Sequence, residues 1–255
     1  MRLLKAFASS ALLTCTLFAG AIGPDTFGYV ATNAPFKFTD ISGTGTRILA
    51  ASDDDTLTVD LGFAFSFYGQ AYTQTCVGAN GLMAFGGCEP GKLPVNFTTT
   101  PTFNDNPVIA PVNDDWQFFD TTSGATPDAV YYETLGVPGQ QQFIVEWNRA
   151  YGYPSSPQSV TFEAILSEGS NLIQFEYLNL DTGDARAFGG SAVVGIRDTG
   201  GDQNGRALVW SFDGSTSIAN SSAIQFDVAA VPEPATALGV SAGLLAIFAI
   251  RRRIS

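Results

Sequence analysis

The middle of the chain alternates apolar and polar residues in short runs. Phe63, Phe65 and Phe67 occupy alternate positions of one run, and residues 143–147 repeat the pattern. Alternation with a period of two places successive side chains on opposite faces of a β-strand. Each run therefore predicts a strand with one face in the core and the other toward solvent.

Further runs of this kind follow, separated by clusters of glycine, proline and asparagine that favour turns. The predicted strands are residues 130–134, 160–166, 171–177, 192–197, 207–212 and 223–228. Residues 168–171 are typical of a hairpin turn, and no run shows a convincing helical period. Many short strands at this spacing favour an all-β fold, an antiparallel β-sandwich spanning residues 22–230.

The N-terminal end has the layout of an export signal. Arg2 and Lys5 precede an apolar run at 11–19, and small residues end at Ala21. A basic start, an apolar centre and small residues at the cut site are what signal peptidase recognises. We therefore expect a signal peptide over residues 1–21, helical in its apolar part, which hands the chain to the export machinery.

The three cysteines fit this interpretation. Cys15 lies in the signal, and Thr14 before it is a poor match to a lipoprotein signal, so lipidation is the weaker alternative. Cys76 and Cys88 remain as a pair in an oxidising compartment. We expect a disulfide between them; the alternative is two buried free thiols.

The C-terminal end combines a short motif, an uncharged stretch at 235–250 and a basic cluster. The stretch is just short of the roughly 20 residues of a membrane helix, and terminal arginines favour the cytoplasmic side. We expect a single transmembrane helix there, with the domain outside the inner membrane. The motif and basic residues are Val231, Pro232, Glu233, Pro234, Arg251, Arg252 and Arg253.

Together these features of residues 231–255 resemble the PEP-CTERM sorting signal of Gram-negative bacteria. The resemblance implies recognition by an exosortase, a membrane enzyme that cuts near the motif. The protein would be anchored in the inner membrane before this step and then reach the cell surface or extracellular matrix. The alternative is an ordinary C-terminal membrane anchor.

A second resemblance spans roughly residues 38–226. The segments that carry it are 60–63, 67–69, 80–86, 109–111, 114–115, 131–132, 143–147 and 173–177. They are similar to the nidogen-type extracellular domain of many secreted proteins. The resemblance implies a β-rich fold and a role in matrix or adhesion proteins.

Composition excludes several classes of chemistry. The chain has no histidine, which removes Ser-His-Asp and Cys-His catalysis and histidine-based metal sites. It also lacks a phosphate-binding Gly-x-x-x-x-Gly-Lys loop. Its formal net charge of −12 repels nucleic acid. A non-enzymatic structural or adhesive protein associated with exopolysaccharide is the favoured function.

Carboxylates offer two alternative functions. Glu133 and Glu146, on neighbouring predicted strands, have the residue types of a glycoside hydrolase pair, whereas Glu163 and Glu176 are expected simply to face solvent. Loop aspartates are suited to calcium, although they commonly bond their own loop backbone instead. The candidate calcium ligands are Asp114, Asp115 and Asp120, with secondary clusters at 53–55 and at Asp198, Asp202 and Asn204.

Aromatic residues in the predicted loops suggest how a glycan would be held. Trp116, Phe118, Tyr151 and Tyr153 would form a sugar-stacking platform if their loops meet. The alternative for each ring is packing in the core or at a strand end. The sequence therefore predicts either a glycan-binding or a calcium-dependent adhesive module as a variant of the favoured function.

Overall fold

The computed structural model describes residues 21–88, 106–121, 126–154, 156–183, 185–212 and 218–229. Most of the predicted signal peptide and the whole predicted sorting segment from 231 onward lie outside these ranges. Among the residues that are described, no helix is long and apolar enough to cross a membrane.

The strands are β1 (Ala21–Ile22), β2 (Tyr29–Ala34), β3 (Thr46–Ile48), β4 (Thr56–Phe67), β5 (Gln70–Gly78), β6 (Leu82–Ala84), β7 (Val108–Asn113), β8 (Trp116–Gln117), β9 (Ala129–Leu135), β10 (Gln142–Gly152), β11 (Ser159–Ser167), β12 (Ile173–Asn179), β13 (Val193–Arg197), β14 (Ala207–Ser211) and β15 (Ser222–Val228).

The strands form two antiparallel sheets. In sheet A the order is β1-β2-β15-β12-β11-β10-β9-β3, with β8 paired to the end of β10. Sheet B has the order β14-β13-β7-β6-β5-β4. The predicted all-β, antiparallel fold is confirmed.

The main core lies between the two sheets. The alternating residues Phe63, Phe65 and Phe67 of β4 are buried in it, as the pattern predicts. Trp147 of sheet A donates its indole N–H to the Gly78 carbonyl of sheet B at 2.9 Å. Polar tips of large core rings are thus satisfied across the sandwich, so their burial leaves no orphan donor.

Local departures from the predicted pattern have simple causes. The hairpin turn at 168–171 is confirmed, but the following strand begins at Ile173 rather than at 171. Asn171 takes a positive φ of 55° and donates its N–H to the Ser167 carbonyl, so it closes the turn instead of joining β12. Two short helical turns, Arg186–Gly190 and Gly201–Asn204, occur where no helix was expected.

The expected disulfide is present. Cys76 on β5 is bonded to Cys88, with their Cα atoms 5.1 Å apart. The alternative of two buried free thiols is therefore wrong. Closing a loop of this length contributes on the order of 3 kcal/mol in the chain-entropy view.

Residues 35–45, which we call the strap, cross the outer face of sheet A. They connect β2 to β3, and β15, β12, β11, β10 and β9 lie between those two strands. At about 4.8 Å per strand this is roughly 29 Å. Residues 35–41 cover the span as far as β10, and the chain then turns, because the Gly45 N–H donates to the Ile41 carbonyl at 2.7 Å. Ile41 of the strap packs on Tyr131, Ile144 and Ile165 in a second, smaller core.

Candidate functional site

Five loops meet at one end of the sandwich, and we call this region the loop end. It comprises residues 49–55, 79–81, 114–121, 152–154 and 186–191. Hydrogen bonds join them: Phe118 N–H donates to the Ser52 carbonyl at 2.7 Å, and Tyr153 N–H to the Asp115 carbonyl at 2.9 Å. Loops fixed by backbone bonds present their remaining side chains in set positions.

Asn80 is the centre of this network. Its amide donates to Asp54 at 3.0 Å, and its side-chain oxygen accepts the Trp116 N–H at 2.7 Å. Its main-chain carbonyl accepts the Asn113 amide at 2.6 Å. One side chain therefore ties the loop before β4 to the loop after β7.

Three carboxylates converge at the loop end. Oxygen atoms of Asp53, Asp54 and Asp115 all lie within 4.8 Å of one another. Burial, followed by the neighbouring negative charges, raises the pKa of both Asp53 and Asp115. The arrangement is a concentration of negative charge with hard oxygen donors, the type of ligand that calcium prefers.

The structure distributes the three predicted calcium ligands among different roles. Asp115 belongs to the carboxylate cluster, where Asp53 and Asp54 join it from a separate loop. Asp114 instead accepts the Ser191 hydroxyl at 2.5 Å and the Asp115 N–H at 2.8 Å.

Two other predicted aspartates, Asp120 and Asp198, pair with arginines. Asp120 forms an ion pair with Arg47. In the secondary cluster, Asp198 forms an ion pair with Arg206 at 2.8 Å, and the Asn204 amide donates to the Thr199 carbonyl at 3.1 Å. Only Asp115 of the three predicted ligands is therefore placed beside other carboxylates.

The aromatic platform differs from the predicted one. Trp116 and Phe118 are buried in the core, whereas Tyr153 is 47% exposed and Phe119 is 50% exposed. The Phe119 and Tyr151 ring centroids lie 5.5 Å apart. The exposed rings are thus Phe119 and Tyr153, and Tyr151 is half-buried against Phe119. The alternation of residues could have predicted which rings are buried, because Trp116 and Phe118, two positions apart, share one face of an extended chain and Phe119 does not.

This aromatic set lies next to the carboxylate cluster. The backbone bond between Tyr153 and Asp115 connects the two groups directly. Arg186 donates to the Tyr153 carbonyl at 2.9 Å and fills the space beside Gly152, where an added Cβ would lie 2.6 Å from its Nη1. The loop of Tyr153 is therefore joined both to the loop of Asp115 and to Arg186.

Of the predicted hydrolase pair, Glu146 lies beneath the strap and Glu133 lies beside it. Glu133 and Glu146 share the outer face of sheet A, opposite Ile144 and Tyr131 respectively. Glu133 accepts the Thr44 hydroxyl at 2.7 Å, and Glu146, 1% exposed, accepts the Ile41 N–H at 2.8 Å. Both carboxylates are therefore hydrogen-bonded to the strap.

The expectation that Glu163 and Glu176 face solvent is wrong. They are 0% and 1% exposed, because the strap covers them. Glu163 accepts the Thr39 N–H at 2.9 Å, and Glu176 accepts the Lys37 N–H at 2.8 Å. Burial raises the pKa of Glu163 to about 9 and that of Glu146 to about 7.

Comparison with known proteins gives one finding. Residues 28–238 match a family model described as NIDO related, a range that holds every strand from β2 to β15, the strap and the loop end. No curated protein and no solved structure matches the chain.

Proposed function

Because the chain belongs to the NIDO-related family, we propose that it is an exported, non-enzymatic module of the cell surface or matrix that binds polysaccharide at its loop end. The observation that carries this proposal is the pair of exposed rings, Phe119 and Tyr153, with half-buried Tyr151 against Phe119, in the loops that also carry the clustered carboxylates. The Cys76–Cys88 disulfide supports an oxidising, extracytoplasmic location.

The chemistry of the loop end favours a neutral glycan. Sugar rings present flat C–H faces that pack on aromatic rings, and their hydroxyl groups can donate to carboxylate oxygens. A chain with a net charge of −12 repels anionic polymers. Neutral exopolysaccharide is therefore the expected partner, in preference to an acidic one.

Affinity electrophoresis through gels containing single neutral or acidic polysaccharides tests the binding. We expect retardation in at least one neutral gel and about tenfold weaker binding, ~1.4 kcal/mol, for Phe119→Ala with Tyr153→Ala. Leu178→Ala removes a side chain that is 43% exposed on β12 and should bind as the wild type does. No retardation in any gel, or equal loss in the control, would remove the proposal.

The same proposal includes sorting by the C-terminal tail. Signal peptidase would release the N-terminal segment, and an exosortase would act at Pro232, Glu233 and Pro234. Support comes from the order of motif, apolar stretch and arginines in the sequence. The family relationship and the disulfide are consistent with an exported protein.

A second candidate is calcium-dependent adhesion, favoured by the convergence of Asp53, Asp54 and Asp115. Burial and then the neighbouring carboxylates raise the pKa of Asp115, and a bound cation would relieve the second of these effects. A free calcium concentration of one hundred times Kd should then raise the free energy of unfolding by about 2.7 kcal/mol. Asp115→Asn should lose this gain and Asp120→Asn should keep it. A melting temperature unchanged between calcium and chelator would exclude the candidate.

A further inference from the structure

Three buried glutamates form a row across the outer face of sheet A. Glu146 on β10 lies directly opposite Glu163 on β11. Glu163 in turn lies directly opposite Glu176 on β12. Directly opposed side chains of like charge destabilise a sheet when both are ionised. The row is therefore an arrangement that disfavours three simultaneous negative charges.

The strap supplies one hydrogen-bond donor to each member of the row. Because the strap runs across the strands, its amides cannot join the ladder of sheet A and need other acceptors. In an extended chain, alternate N–H groups point the same way. Those of residues 37, 39 and 41 donate to Glu176, Glu163 and Glu146 at 2.8, 2.9 and 2.8 Å.

The central glutamate has the least favourable surroundings for a negative charge. Its Oε1 accepts the Thr39 N–H, but its buried Oε2 has no hydrogen-bond partner within the described ranges. The charges that act on Glu163 are those of Glu146, Glu176 and Asp40, all negative.

Other charged groups lie at the two ends of the row. On the β12 side, Lys37 favours ionisation of Glu176. On the β10 side, Asp40 disfavours ionisation of Glu146, and Tyr131 and Glu133 of β9 share its face. Beyond Tyr131 lie Arg47, Arg149 and Asp128. The cations thus lie toward the ends, and the centre of the row faces only acids.

We propose that the row is a proton-operated latch: the strap lies closed on sheet A while Glu163 holds a proton, and loosens when that proton passes to solvent at alkaline pH. Loosening would uncover the small core of Tyr131, Ile144 and Ile165 that Ile41 closes. The outer face of sheet A would then become an apolar surface with a line of carboxylates.

The direction of the pH dependence follows from the raised pKa values. Burial places the pKa of Glu163 at about 9 and that of Glu146 at about 7, above the ordinary 4.5. A carboxyl group whose pKa is raised in the folded state stabilises the folded state at low pH. This stabilisation is lost as the pH rises through the pKa that the group has in the folded state. The closed strap is therefore favoured in acid and weakened as the pH rises from about 4.5 to about 9.

Hydrogen exchange of the strap amides tests the latch directly. The protection of residues 37–41, corrected for intrinsic exchange rates, should fall at least about tenfold between about pH 5 and pH 9 in the wild type. Glu163→Gln keeps an acceptor oxygen for Thr39 but cannot ionise, so its strap should lose much less protection.

Two controls make the test decisive. Glu168→Gln changes a carboxylate that also accepts backbone N–H groups, from Gly139 and Gln141, but lies in an exposed turn, so it should behave as the wild type does. Carboxyl ¹³C spectra of the wild type should show a glutamate that titrates above pH 7, which needs no variant. Glutamates that all titrate below about pH 6, or equal loss of protection in Glu163→Gln and the wild type, would overturn the proposal.

Discussion

At the residue scale, the turn formed by Asn80 and Gly81 determines how the loop end is assembled. Asn80 bonds to two other loops, and it can do so only if the chain turns sharply after it. Gly81 has φ +72°, and an added Cβ would lie 2.0 Å from the Val112 carbonyl oxygen. Close approach and a left-handed φ together require glycine here.

Gly81→Ala should therefore lower the free energy of unfolding by about 2–4 kcal/mol, because the backbone of β7 must move away from the new methyl group. Gly43→Ala is the matched control, since nothing lies within 4 Å of an added Cβ at that position. Urea unfolding of the two variants measures the difference. Equal stability would mean that Val112 can shift at little cost.

At the element scale, alternating sequence patterns predict the strands but not the strap that covers them. Alternation alone identified the strands around Phe63–Phe67 and Phe143–Trp147, because burial between sheets imposes a period of two. The same rule assigned Glu163 and Glu176 correctly to the face away from the main core. It could not show that this face is covered, since an irregular crossing segment leaves no periodic signal.

The loop end was predicted only in part, for a related reason. Asp115 and Tyr153 could be recognised as loop residues with suitable chemistry. Asp53 and Asp54 were also recognised as candidate ligands, but the sequence did not show that their loop meets the loop of Asp115. Which loops meet depends on hydrogen bonds such as those of Asn80, and single-sequence patterns do not encode such long-range contacts.

Global stability should depend on pH through the glutamate row. Because the folded pKa of Glu163 is raised to about 9 and that of Glu146 to about 7, the free energy of unfolding should fall as pH rises from about 4.5 to 9. We expect a loss of about 2 kcal/mol or more, measured by urea unfolding at several pH values. Glu163→Gln should reduce the slope. Stability that stays flat or increases over this range would contradict the burial of charge described here.

The disulfide should stabilise the β5–β6 hairpin of sheet B, which it closes. Its two cysteines are separated by 12 positions, and reduction should lower stability by about 2–4 kcal/mol. The measurement is the melting temperature with and without a thiol reductant. A variant with both Cys76→Ser and Cys88→Ser should not respond to the reductant. A wild-type melting temperature that reductant leaves unchanged would show that the bond contributes nothing.

At the scale of the whole molecule, one β-sandwich carries both surfaces of interest. The loop end offers rings and carboxylates to a ligand, while the strap protects a row of acids on the outer face of sheet A. The family range of residues 28–238 contains both surfaces. The proposed export to the cell surface also depends on the signal peptide predicted at residues 1–21 and on the sorting motif predicted after residue 230.

The most direct test of that claim is the intact mass and cell fraction of the protein in two hosts, one with an exosortase and one without. We expect a surface or matrix protein that lacks both the N-terminal signal and the C-terminal tail only where the exosortase is present. An unchanged C-terminus and inner-membrane residence in both hosts would contradict it, and would make residues 235–250 a plain anchor.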